Sequence, residues 1–180
     1  MREVHSPTGR LHVLSLDPAS GRVVVDRWID NLVTTAGREL LAQLLTGLVP
    51  GIVQVELAVG GPAEGQQPPD PYPPAAASDT NLHLPLRRAA TELEVIGVVP
   101  DSVPPRYAMS ISAVIPAEVG GDTLVLREAG LIMVKGGDEA SPPAQPGDLA
   151  SNEVLYNRVV FDTITKDPEL QMTLTWEVMF

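Results

Sequence analysis

The chain has 180 residues, with 23 acidic against 12 basic side chains, a formal charge of −11 and a hydrophobic share of 44%, enough for a sizeable core in one domain of ordinary size. That charge opposes a phosphate backbone, which needs clustered Lys and Arg, so no nucleic-acid partner is expected. No run approaches the roughly 20 apolar residues of a bilayer span, residues 1–10 lack a signal peptide's apolar stretch, and without cysteine there is no disulfide framework, thiolate nucleophile or thiolate metal site. A soluble chain made in a cytoplasm, with no membrane insertion, is the expectation.

Leu11 to Leu16 and Arg22 to Ile29 are β-rich runs separated by Asp17, Pro18, Ala19, Ser20 and Gly21, a turn-forming cluster that predicts a first hairpin. Leu40, Leu41, Leu44, Leu45 and Leu48 then fall on one helical stripe, with Thr35 placed to cap its start and Gly47 where a left-handed stop is needed. The spacing predicts a single helix closing the open end or side of a sandwich. Val53, Val55, Leu57 and Val59 alternate with Gln54, Glu56 and Ala58 and predict a strand that stops at Gly60 and Gly61.

Between residues 62 and 78 stand Pro62, Pro68, Pro69, Pro71, Pro73 and Pro74 with Gly65, Gln66 and Gln67. Proline cannot donate to a ladder, and this composition predicts a long exposed loop that packs into no core. Loops of such length in a compact domain are either disordered or used for contact. Pro68, Pro69, Tyr72, Pro73 and Pro74 are therefore candidate interface residues, beside the loop from Lys135 to Asn152, the N-terminal segment and the open sheet edge.

Strands are predicted around Glu92 to Val99, from Tyr107 to Ile115, and from Thr123 to Val134 after a Gly120, Gly121, Asp122 turn. Residues 135–152 form a second long Gly- and Pro-rich loop. Val154 to Phe161 and the alternating run Met172, Leu174, Trp176, Val178, Phe180 then read as a closing hairpin joined through Thr165, Lys166, Asp167 and Pro168. Its second strand is expected to be central to stability and to carry ordered structure to the last residue. The sum is an all-β fold, a mainly antiparallel β-sandwich of about eight strands with one amphipathic helix, in a single domain over residues 1–180.

Chemistry-bearing motifs are sparse. His5, His12 and His83 have no metal-ligand spacing, and Ser110, Ser112, Ser141 and Ser151 sit in no nucleophile elbow. Glu92 and Glu94 share a strand face, as a half-exposed strand gives by default. Gly60 and Gly61 precede no phosphate-loop lysine, and Asp70, Asp79 and Asp138 form no calcium loop. No catalytic residue, metal ligand or cofactor site is assigned. Glu128 and Arg158 stand out because each interrupts an apolar strand pattern, where a charge is costly unless paired; a structural ion pair between neighbouring strands is expected.

Several short motifs in fixed order carry a resemblance. Asn31, Leu32, Val33, Thr34, Thr35, Ala36, Gly37, Arg38 ahead of an apolar helix, Val55 to Gly61, then Asp79, Thr80, Asn81, Leu82, then Glu128, Ala129, Gly130, Leu131, and finally Arg158, Val159, Val160, Phe161 with Trp176 resemble the segments of a family of small tail proteins of tailed bacteriophages and phage-derived contractile injection systems. The likeness runs from about residue 30 to the end, and the stretch from Pro62 to Ser78 is longer than the family's usual connection. The resemblance implies a structural component of a virion or extracellular injection particle, made in the bacterial cytoplasm. It implies attachment in a tail fibre, collar or baseplate, partners that are other copies of itself, as a homo-oligomer or ring, and neighbouring tail proteins, and neither catalysis nor a cofactor. Two other classes are weighed against it: a carbohydrate-binding receptor-recognition module, which needs exposed aromatic platforms, and an enzyme assembled from scattered carboxylates.

Overall fold

Two kinds of strand emerge from how apolar residues repeat: those that alternate, with one face for water, and those buried on both sides. The computed structural model describes residues 8–63, 66, 67, 69–98, 107–137, 141–143 and 147–179. In chain order its elements are β1 (Thr8–Leu16), β2 (Val23–Asp30), β3 (Leu32–Val33), α1 (Thr35–Leu45), β4 (Ile52–Gly60), β5 (Pro85–Ala90), β6 (Glu92–Val98), β7 (Tyr107–Ile115), β8 (Leu124–Lys135), β9 (Glu153–Lys166) and β10 (Gln171–Met179). They form two five-stranded sheets, ordered β2-β1-β10-β7-β6 and β3-β9-β8-β4-β5. Every pairing is antiparallel.

The sheets close on one apolar core drawn from both inner faces, with Leu11, Ile111 and Trp176 from the first and Leu57, Leu131 and Phe161 from the second. Strand β10 runs up the middle of the first sheet, and its Met172, Leu174, Trp176 and Val178 are at most 1% exposed. Each such side chain contributes about 1.5–3 kcal/mol by leaving water. Phe180, which the sequence pattern adds to this strand, lies outside the described residues.

The predicted closing hairpin does not form. β9 pairs with β8 and β3, β10 pairs with β1 and β7, and the turn in which the Leu170 amide donates to the Asp167 carbonyl carries the chain from one sheet to the other. The burial patterns give the reason. β10 alternates strictly between buried and half-buried residues, whereas β8 is buried without a break from Glu128 to Met133 and β9 from Leu155 to Val159. A strand with two dry faces belongs in the sheet covered on both sides, and β10 belongs in the sheet with one wet face.

Two strands were absent from the sequence reading, making ten among the described residues. β3 has only two residues. β5 reads Pro-Leu-Arg-Arg-Ala-Ala, with no apolar alternation, and lies at a sheet edge, where a leading proline and paired arginines are tolerated and discourage further pairing.

The helix begins one residue earlier than expected. Thr34 is the cap; its Oγ1 accepts from the Gly37 amide at 2.9 Å and donates to the Leu155 carbonyl at 2.6 Å, tying the helix start to β9. The end follows the pattern expected of Gly47: with φ of 71° it lets its own amide reach Leu44 and the Leu48 amide reach Gln43. The leucine stripe is only partly used. Leu40 is buried, Leu41 and Leu44 pack on the core, and Leu45 and Leu48 are 90% and 76% exposed. Leu45 sits about 140° round the helix from Leu40, and Leu48 lies beyond the helix end.

Gly37 faces the Tyr156 carbonyl so closely that a β-carbon there would collide with backbone. At an exposed helix position Gly→Ala stabilises by about 1 kcal/mol. Here the sign is expected to reverse, with Gly37→Ala losing about 1–3 kcal/mol in chemical denaturation; a stabilised variant would contradict this packing.

Candidate functional site

Glu128 lies on β8 opposite Gly60 of β4 and Val160 of β9, in the middle of a sheet, and is 0% exposed. Its side chain lies over Gly60, where a β-carbon would come within 2.7 Å of Oε1 and 2.8 Å of Cγ. Gly60 thus clears space for the carboxylate, Gly61 lets the chain pass close to the Val125 backbone, and the Gly61 amide donates to the Leu84 carbonyl at 2.8 Å. Gly130 clears space two residues on from Glu128: a β-carbon there would crowd Leu82, which joins Ala58, Ile132 and Leu155 in a small second core on the outer face of this sheet.

Four donors converge on the carboxylate. Oε1 accepts from the Tyr72 hydroxyl at 2.8 Å and the Leu84 amide at 2.7 Å; Oε2 accepts from the His83 amide at 3.1 Å and Arg158 Nε at 2.7 Å. Arg158, 3% exposed, makes three further bonds, to Asp79 Oδ2 at 2.7 Å and to the Pro73 and Pro74 carbonyls at 3.3 Å each. Asp79 also accepts from the Ala76 amide at 2.8 Å. A carboxylate offers about four lone-pair positions, and all are filled here. Burial alone would pull the Arg158 guanidinium's pKa down, but Asp79 and Glu128 outweigh it and hold it above its ordinary value. Burial, followed by the bond to Glu128, pushes the Tyr72 hydroxyl well above the usual tyrosine range.

The described residues of 62–78 form a loop that is held to the body at Tyr72, Pro73 and Pro74, while Ala63, Gln66, Gln67, Pro69, Asp70, Pro71, Pro74 and Ser78 are exposed. Tyr72 is 6% exposed, packed against Glu128, Arg127 and His83, so it is neither a surface contact nor a stacking platform. Pro73 and Pro74 give their carbonyls to Arg158, Pro69 is exposed, and Pro68 lies outside the described residues. Proline keeps its acceptor while losing its donor: such a stretch cannot extend a ladder, yet it can satisfy a buried guanidinium. Tyr72, the lone aromatic of the segment, was the signal available in the sequence. The second loop is tied in as well, with Asn81 Nδ2 donating to the Gly147 carbonyl at 2.9 Å and Arg88 Nη2 donating to the Asp148 carbonyl at 3.5 Å.

The remaining candidates are dispersed. His12 is on β1, stacked on Trp28 with ring centroids 4.3 Å apart and bonded to Asp26 at 2.8 Å. His83 meets the edge of Tyr72, and His5 and Asp138 lie outside the described residues. Glu92 and Glu94 are exposed on β6. Among the described residues no group of three or more His, Asp or Glu side chains is placed to hold a metal ion, and no helix is long and apolar enough to cross a membrane. Trp28 is 47% exposed, with the Arg10 guanidinium 4.2 Å from its ring centroid, so the indole is already stacked by its own strand neighbours. No family model, curated protein or solved structure matches the chain.

Removing one partner of a buried pair strands the other charge. Glu128→Ala is expected to cost about 3–5 kcal/mol in urea or thermal unfolding; a loss below about 1 kcal/mol would contradict the buried pair. Tyr72 gives a pH signature. Its folded-state pKa lies above the unfolded value, so its contribution is complete below about pH 10 and is lost as pH rises past it, by at most about 1.4 kcal/mol per pH unit. Tyr72→Phe should reduce stability at neutral pH by about 1.5–3 kcal/mol and flatten the alkaline slope; an unchanged slope would contradict the assignment.

Proposed function

We propose that the chain is a structural component of a phage tail or a phage-like contractile injection particle, working by protein–protein docking in a fibre, collar or baseplate. One observation supports this above the rest. The motifs that resemble the tail-protein family are far apart in the chain, yet they meet in one region: Gly60, Asp79, Glu128 and Arg158 build the buried knot, Gly61 and Gly130 pack beside it on Val125 and on Leu82 and Leu155, and Thr34 and Gly37 seat the helix on β9. Residues singled out by order along the chain thus have a shared structural job, which is what a family signature encodes. The reading assigns no reaction and no cofactor.

In a strain that makes such particles, the chain should co-purify with intact tails at a fixed copy number and remain bound through a density gradient. Recovery only in the soluble lysate fraction would overturn the reading. The second reading, a carbohydrate-binding module, rests on Trp28, the one exposed Trp, Tyr or Phe ring among the described side chains. A glycan array that responds to the wild type and not to Trp28→Ala would favour it.

A further inference from the structure

The sandwich has two unlike flanks. On one, β2 is the edge of the first sheet, and the second sheet ends in the two-residue strand β3, which pairs only with Asn157 and Arg158 of β9. Among the described residues no strand covers the outer edge of β9 from Val159 to Lys166. The cleft between β2 and β9 has a volume of about 590 Å³ and is lined by Arg27, Trp28, Arg127, Phe161 and Asp162. Its two arginines have no carboxylate partner among the described residues. Arg127 reaches the Thr163 hydroxyl at 3.3 Å and lies over the Tyr72 ring, with its Nε buried and unpaired. Arg27 is exposed.

The opposite flank ends in β6, the other edge of the first sheet. It carries Glu92 and Glu94, both exposed and without a cation in ion-pair reach among the described residues, with Leu93 57% exposed between them. By contrast Arg10, Arg87, Arg88 and Arg158 all have carboxylate partners. In a chain so rich in acid, the two unpaired arginines of the cleft, which outnumber its one carboxylate, Asp162, and the unpaired Glu92 and Glu94 of the other flank are a complementary set. Free strand edges supply the backbone donors and acceptors to go with them.

Resting on the reading of the chain as a particle component, we infer that copies dock head to tail, the β6 edge of one entering the cleft between β2 and β9 of the next, with Glu92 and Glu94 meeting Arg27 and Arg127. The two surfaces differ, so the contact is heterologous. It repeats from copy to copy and closes into a ring where the rotation per copy divides a full turn. β6 has seven residues, a match in length for the free edge of β9. The charges fix the register and speed the encounter, and the contact weakens as salt screens them.

The test is the mass of the full chain by sedimentation and native mass spectrometry over a concentration series, for the wild type, Glu92→Arg/Glu94→Arg and Arg27→Glu. All these side chains are exposed, and either variant alone decides the case if the other fails to fold. The wild type should form a discrete oligomer, and each variant should weaken assembly by about tenfold or more. An equimolar mixture of the two variants should recover the oligomer, because each supplies the flank that the other's reversed charge requires. A wild type that stays monomeric, an oligomer indifferent to Glu92→Arg/Glu94→Arg, or a mixture that does not recover would each overturn the docking. An oligomer insensitive to these charges leaves the particle reading standing, whereas absence from purified particles removes that reading without bearing on the ring.

Discussion

A carboxylate with no exposure to water has to be given hydrogen bonds by the protein, and Glu128 receives four, three of them from outside its own sheet. Those three donors, the Tyr72 hydroxyl and the His83 and Leu84 amides, all belong to the segment that leaves β4 and returns as β5. Burying the charge therefore fixes the path of a stretch whose composition would otherwise leave it loose. Arg158 extends the constraint, since a guanidinium at 3% exposure needs acceptors for its own donors and takes them from Asp79 and the two proline carbonyls. Hydrogen bonds to charged groups contribute more than neutral ones and cost more when left unmade, so carboxylate, guanidinium and loop stand or fall together.

From this knot follows the asymmetry of the fold. The second sheet is covered on its inner face by the core and on its outer face by the pinned segment and the small Leu82 cluster, which is why β8 and β9 are apolar on both faces. The first sheet keeps an open outer face with His12, Trp28 and Glu177 among its polar residues. With its broad faces thus assigned, the strand edges on the two flanks are what remains for partners.

Where period two is unbroken, the chain predicts its own structure: β7 and β10 follow directly from alternation, and the β1–β2 hairpin from its turn residues. Sequence reasoning failed where tertiary partners override local pattern. β9 and β10 are adjacent in the chain and separated by a turn, the usual mark of a hairpin, but only the number of dry faces on each decides which sheet it joins. The strand β5 has no apolar signature because it sits at an edge. Glu128 and Arg158 could be singled out as charges among apolar neighbours. Tyr72, Asp79, Pro73 and Pro74 could not be assigned to them, because nothing local records that a segment some fifty residues upstream folds over the same spot.

The central claim, that a buried carboxylate makes the Pro-rich segment part of the folded body, is tested most directly by amide hydrogen exchange at Leu84 against Leu131, whose amide is held in the core sheet by Asn157 Oδ1 at 3.0 Å. Both amides should exchange only through global unfolding, with equal free energies that fall together in Glu128→Ala. A Leu84 amide that exchanges at the rate of an open loop while Leu131 stays protected would contradict it.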